Sequence, residues 1–222
     1  MPQIFRRSAN TLAKLSIVVG GVAAVSVVGL LYAVQVSPYV TEVRVVKDQP
    51  IPFSHEHHVG GLGLDCRYCH HTVEKTASAT VPPVATCYNC HKIVWGDAPM
   101  LKPVRDAYKN DTPIEWNRVH DLPDFAYFNH SAHVNKGVGC MSCHGRVDKM
   151  PMMWKEKTLY MGFCLDCHRN PEPNLRPVEA MTDMEWEPSE EWKETDKFAH
   201  LGIKKTKPGH INQLTNCAVC HR

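Results

Sequence analysis

The chain opens on a short polar, basic stretch and then turns almost wholly apolar. From Leu15 to Val34 it reads LSIVVGGVAAVSVVGLLYAV, twenty residues in which only Ser16, Ser26 and Tyr32 carry polar side-chain atoms. At about 1.5 Å per residue such a run spans roughly 30 Å, the hydrocarbon thickness of a bilayer. The pattern predicts a transmembrane helix over 15–36 after a segment 1–14. Arg6, Arg7 and Lys14 precede it with no acidic residue, whereas Glu42, Arg44, Lys47 and Asp48 cancel on the far side. By the positive-inside rule, 1–14 is cytoplasmic and 37–222 lies outside. A cleaved signal peptide would have a shorter apolar region and a small-residue cleavage site, which is not evident near Ala33 to Ser37. Ser16, Gly20 and Ala24 recur at four-residue steps, a small-residue face suited to packing on another helix.

Past Val36 the periodicity fades. Convincing strand alternation is scarce, Pro occurs 16 times, and 96–113 and 169–196 are polar and irregular. This predicts a mainly α chain with extensive irregular loops. Lys+Arg is 25 and Asp+Glu is 23, a formal charge of +2, which argues against a nucleic-acid binder. The unusual counts are 10 Cys and 14 His.

All ten cysteines fall in five copies of C-x-x-C-H. These are Cys66 and Cys69 with His70, Cys87 and Cys90 with His91, Cys140 and Cys143 with His144, Cys164 and Cys167 with His168, and Cys217 and Cys220 with His221. No cysteine is left over for a disulfide framework. The pattern is that of c-type haem attachment. Two thiols add to the two vinyl groups of one porphyrin, and the next His ligates the iron. A lone C-x-x-C could be a redox dithiol or half a zinc site. Five copies, an odd number, each followed by His, point to five covalent haems. The 186 residues of 37–222 then give about 37 per haem, so porphyrin supplies much of the buried apolar surface.

The motifs begin at 66, 87, 140, 164 and 217, so short and long gaps alternate. Other residues keep this register. Phe53-Ser54-His55-Glu56-His57-His58 precedes the first pair and Phe128-Asn129-His130-Ser131-Ala132-His133 the second, both F-x-H-x-x-H. Val73-Glu74-Lys75 and Val147-Asp148-Lys149 follow the first proximal His of each pair, and Trp116 and Trp186 stand twelve residues before Phe128 and Phe198. The repeat units are about 53–116, 128–186 and 198–222, the third with one motif.

Nine further His compete for at most five distal places, where paired His would close the iron to substrate and suit electron transfer. The F-x-H-x-x-H arrangement resembles class III multihaem cytochromes. That resemblance implies His55 opposite His70 and His130 opposite His144, with His58 and His133 serving neighbouring haems, the second of each pair foremost. For the fifth place His120, His200 and His210 compete. His200 matches His130 by register, and His210 precedes Cys217 by the same seven residues that separate His133 from Cys140. Met161, just before Cys164, could supply a thioether; its plain reading is gap-filling beside a porphyrin. His57 and His71 adjoin better candidates and read as structural or exposed.

Over nearly the whole chain, the runs IPFSHEHHVGGLGLDCRYCHHTVEK, IEWNRVHDLPDFAYFNHSAHVNKGVGCMSCHGRVDKM, LYMGFCLDCHRNPEPNLR and NCAVCHR resemble the pentahaem subunit of alternative complex III, a bacterial quinol:acceptor oxidoreductase. The resemblance favours His120 for the fifth distal place, against the register argument. It implies an electron-transfer subunit in the inner membrane that is not catalytic alone, with the haem domain periplasmic. Its partners would be membrane lipid, polytopic quinol-oxidising subunits, an iron–sulfur subunit, and a monohaem cytochrome or soluble carrier. Two rival functions remain. One is an anchored multihaem quinol dehydrogenase of the small tetrahaem or pentahaem type. The other is a catalytic multihaem reductase, which needs an open haem, although all five motifs end in His. A scaffold role is compatible with the first reading but leaves five haems unexplained.

Overall fold

The computed structural model describes residues 4–202 and 214–221. The chain divides into two compact units, Met1–Glu42 and Val43–Arg222.

The first unit is built on one helix, Ala9–Val36, whose 28 residues include a window of mean hydropathy 2.4 with no part of it buried in the protein. It starts earlier than the apolar run, because Asn10, Thr11 and Lys14 are compatible with a helical backbone. Length and composition suffice to cross a membrane. The helix stops at Ser37, which is extended (φ −71, ψ 156). The following Pro38 disfavours the helical conformation for the residue before it, and the Ser37 hydroxyl donates to the Val34 carbonyl at 2.6 Å.

The second unit is a string of short helices joined by loops. Cys66–Cys69, Val84–His91, Cys140–His144, Met161–Arg169 and Cys217–Cys220 each carry one C-x-x-C motif. Side-chain caps start two of these helices: Asp65 accepts from the Arg67 amide and Asn216 from the Ala218 amide. Among the described residues, β-structure amounts to isolated bridges pairing Val43 with Lys155, Val46 with Trp154 and Val138 with Leu175.

The buried apolar residues gather in small separate clusters. Ile51, Leu101 and Val104 pack around Cys87 and Tyr88. Val73, Val134 and Met181 form a second cluster, and Val147, Met150 and Met184 a third that includes Cys66 and Cys140. A domain of this size ordinarily closes on one contiguous core. Here each cluster borders motif segments, and large apolar side chains such as Tyr68, Ile93, Phe125 and Met161 stay exposed beside them.

The polar stretch 169–196 is ordered by two residues. Buried Trp192 donates its indole N–H to the Leu175 carbonyl at 3.1 Å. Buried Arg176 lies 4.8 Å over the Trp186 ring and donates to the Asp183 carbonyl at 2.9 Å.

Candidate haem sites

Each C-x-x-C occupies one helical turn, where residues three apart share a face. Both thiols therefore point to one side, with the His at the helix end. All ten thiols are free. Among the described residues no three His, Cys, Asp or Glu side chains converge as a metal site, so the zinc reading finds no geometric support there.

The histidines share a second trait. Nδ1 of His70, His91, His168 and His221 bonds the carbonyl oxygens of Thr80 (2.9 Å), Val94 (3.0 Å), Leu214 (2.6 Å) and Phe125 (2.9 Å). Nδ1 of His58, His130 and His133 bonds the carbonyls of Ser54 (2.8 Å), Ala77 (2.9 Å) and Asn129 (2.7 Å). A carbonyl accepts, so in each ring Nδ1 carries the proton and Nε2 presents a lone pair. This is how metal-binding imidazoles are commonly oriented. His144 differs, pairing its Nδ1 with Nε2 of His120 at 3.2 Å. Nδ1 of His55 is buried without a partner.

The rings also oppose one another. Centroids of His58 and His91 lie 6.1 Å apart, of His130 and His144 6.3 Å, and of His133 and His168 5.9 Å. Two imidazoles on one first-row metal, each bonded at about 2.0 Å, would put their centroids about 6.2 Å apart. His55 neighbours His70 closely enough to interact with it electrostatically.

Burial favours the neutral form of five of these imidazoles. It pushes His144 down to about 3, and His55 and His120 to about 4, with neighbouring His or Lys155 adding to the effect. His58 and His133 are also lowered, chiefly by burial. Only the neutral ring has a free lone pair for a metal.

Two phenylalanines hold the opposed rings. Phe53 meets His55 edge-on at 4.9 Å and stacks on His58 at 4.4 Å, and Phe128 meets His130 edge-on at 4.8 Å and stacks on His133 at 4.4 Å. The F-x-H-x-x-H spacing was the signal for these residues, but their role as a brace was not read from it. Arg176 was missed entirely; its guanidinium lies against the backbone of Gly139, where an added Cβ would sit 2.2 Å from Nε.

The other candidates stand apart. His120 sits against His144, on the Nδ1 side of that ring. His200 is exposed and meets Trp192 edge-on at 5.2 Å. Met161 is exposed, and His210 lies outside the described residues. His71 is exposed, and His57 stacks on Trp95 at 5.9 Å.

The family model for the class III cytochrome c family matches residues 33–113. The chain is also 32% identical over 145 residues to the menaquinone reductase multihaem cytochrome c subunit of Nitratidesulfovibrio vulgaris, covering 56% of this chain and 69% of that one. The chain belongs to the class III multihaem cytochromes c. Membership brings covalently bound c-type haem and an electron-transfer role. The donor set of this class III cytochrome fits that cofactor: paired free thiols on one helical turn, imidazoles with Nδ1 tethered, and ring pairs at a separation that suits two ligands of one metal.

Proposed function

We propose that this class III cytochrome is the electron-conducting subunit of a membrane-bound quinone or quinol oxidoreductase, and specifically the pentahaem subunit of an alternative complex III. The observation that carries the conducting role is the set of opposed imidazole pairs at 5.9–6.3 Å. A protein ligand on both faces leaves no place for substrate, which suits relay rather than catalysis.

Five haems would be held by thioethers at Cys66 and Cys69, Cys87 and Cys90, Cys140 and Cys143, Cys164 and Cys167, and Cys217 and Cys220. His70, His91, His144, His168 and His221 are the proximal ligands. His55, His58, His130 and His133 are the distal ligands of the first four. For the fifth, the resemblance favours His120, while His200 and His210 keep the register argument. Each bound haem supplies a one-electron iron couple. The protein engages Nδ1 of both imidazoles of each pair, so that each would present Nε2 to the iron of a bound haem. The helix Ala9–Val36 anchors the chain with 1–14 cytoplasmic and the haem domain periplasmic. The chain takes electrons from an iron–sulfur subunit beside polytopic quinol-oxidising subunits and passes them to a monohaem cytochrome or soluble carrier. The relative's name, a menaquinone reductase subunit, supports a quinone-linked complex.

The second reading, a membrane-anchored multihaem quinol dehydrogenase, is favoured by the apolar helix and haem domain sharing one chain. The purified holoprotein, alone in detergent and given a quinol analogue, separates the two. Slow or absent haem reduction without partners, with fast reduction in the assembled complex, is the expected result. Fast reduction of the isolated chain would replace the first reading with the second.

A further inference from the structure

Motif order along the chain need not be order in space, and the contacts between motif segments indicate which sites are neighbours. We infer that the five haem sites form one unbranched line in the order motif 2, motif 1, motif 3, motif 4, motif 5, so that the second motif and the last are the two exchange ends. This rests on the five-haem reading above.

Four junctions carry the inference. Motifs 2 and 1 meet through one distal turn. The Phe53 ring touches both His55, beside His70, and His58, opposite His91.

Motifs 1 and 3 meet back to back. Cys66 and Cys140 share one apolar cluster with Val147, Met150 and Met184. The backbone after motif 1 holds the distal residue of motif 3, because the Ala77 carbonyl accepts from both the amide and Nδ1 of His130. Reciprocally, the distal turn Glu56–Gly61 docks on Val147–Lys149, just past motif 3, with the Glu56 amide donating to the Met150 carbonyl at 3.0 Å.

Motifs 3 and 4 repeat the first junction. Phe128 touches both His130, opposite His144, and His133, opposite His168.

Motifs 4 and 5 meet at the chain's end. Nδ1 of His168 bonds the Leu214 carbonyl, three residues before Cys217. The Cys220 carbonyl accepts from the Tyr127 amide at 2.8 Å.

The join between the two repeat units is therefore first site to first site. The second site of the leading pair is turned outward, as an end. Sequence order would instead place motif 2 between motifs 1 and 3. Electron transfer slows steeply with edge-to-edge distance, so the two orders differ in which site can be lost without cutting the line.

The test has two arms on the full holoprotein. An experimental map with irons located by anomalous scattering should place the motif 1 iron between those of motifs 2 and 3, with the motif 5 iron nearest motif 4. A motif 2 iron nearest motif 3, or any branch, overturns the order. The second arm uses C87A/C90A and C66A/C69A, each first shown by mass to retain four haems and by EPR to remain low-spin. After a reducing pulse, C87A/C90A should keep rapid equilibration among all four remaining haems. C66A/C69A should lose the fast phase for one haem equivalent, now stranded at motif 2. Equal behaviour of the two variants also overturns the order. Fewer than five haems by mass in the wild type would instead overturn the five-haem reading, whatever the spatial order.

Discussion

An imidazole has two nitrogens, and a metal site works only if the wrong one is occupied. In seven of the rings described above that task falls to a backbone carbonyl, bonded at 2.6–3.0 Å. Backbone cannot be mutated away, so the tautomer survives most nearby substitutions. His144 depends on a side chain, His120. His130→Ala should leave all haems attached, since thioethers do not need the distal ligand. It should turn one centre high-spin, read by EPR and by the visible spectrum. A spectrum that stayed wholly low-spin would remove His130 from the distal set. Phe128→Ala removes the brace of two imidazoles at once. The ring is 37% exposed, so the cost should be about 2 kcal/mol, below the 3–5 typical of fully buried Phe. Thermal unfolding checks that figure. In EPR, two low-spin signals should shift while the rest keep their positions.

At the scale of elements, the turn Glu56–Gly61 is a π-helical turn pressed against the backbone of Asp148. A Cβ on Gly60 would stand 2.4 Å from the Asp148 carbonyl oxygen. Gly60→Ala should therefore destabilise by roughly 1–3 kcal/mol, as overpacking does, and calorimetry on the holoprotein would measure it. Asp65 ties the first motif helix down. Its carboxylate accepts from the Arg67 amide and guanidinium and from the Thr182 hydroxyl, and Arg67 foremost lowers its pKa from 3.8 to about 2. A depressed carboxylate stabilises above its unfolded pKa, and that stability is lost as pH falls through the folded one. Asp65→Asn keeps the cap but drops the ion pair. The pair is half-exposed, so the loss at pH 7 should be under about 1 kcal/mol. The gap to wild type should shrink below about pH 4 and vanish below about pH 2, as acid titration of unfolding would show. Motif helices and the apolar anchor were legible because each is specified by residues a few positions apart. The order in 169–196 was not, because Trp192 answers to Leu175 and Arg176 to Asp183 and Trp186, contacts that periodicity does not encode.

For the whole molecule, the repeat in sequence foretold two haem-pair units but not how they meet. Pairing within a unit is local, set by F-x-H-x-x-H. The junction of Cys66 with Cys140 joins residues seventy-four apart and leaves no spacing signal. The fifth distal place shows the same limit, since the resemblance points to His120 and the register to His200 and His210. Cys217→Ala with Cys220→Ala should remove one haem by mass and leave four low-spin centres. Delivery to the acceptor should fall if motif 5 is an exit, as a stopped-flow assay on the complex would record. Each ferric haem with ionised propionates adds roughly −1 charge, so the oxidised chain would carry about −3, a charge that bears on docking of carriers rather than on fold. The tethers also set a timetable for maturation. A polypeptide emerges N-terminus first. When His130 arrives, the Ala77 carbonyl that orients it is already out, so the third site can close as soon as Cys140–His144 follow. His168 arrives before Leu214, the residue that orients it. The fourth site must wait for the tail, and a chain stalled short of Leu214 would carry a haem whose proximal imidazole is still free to turn.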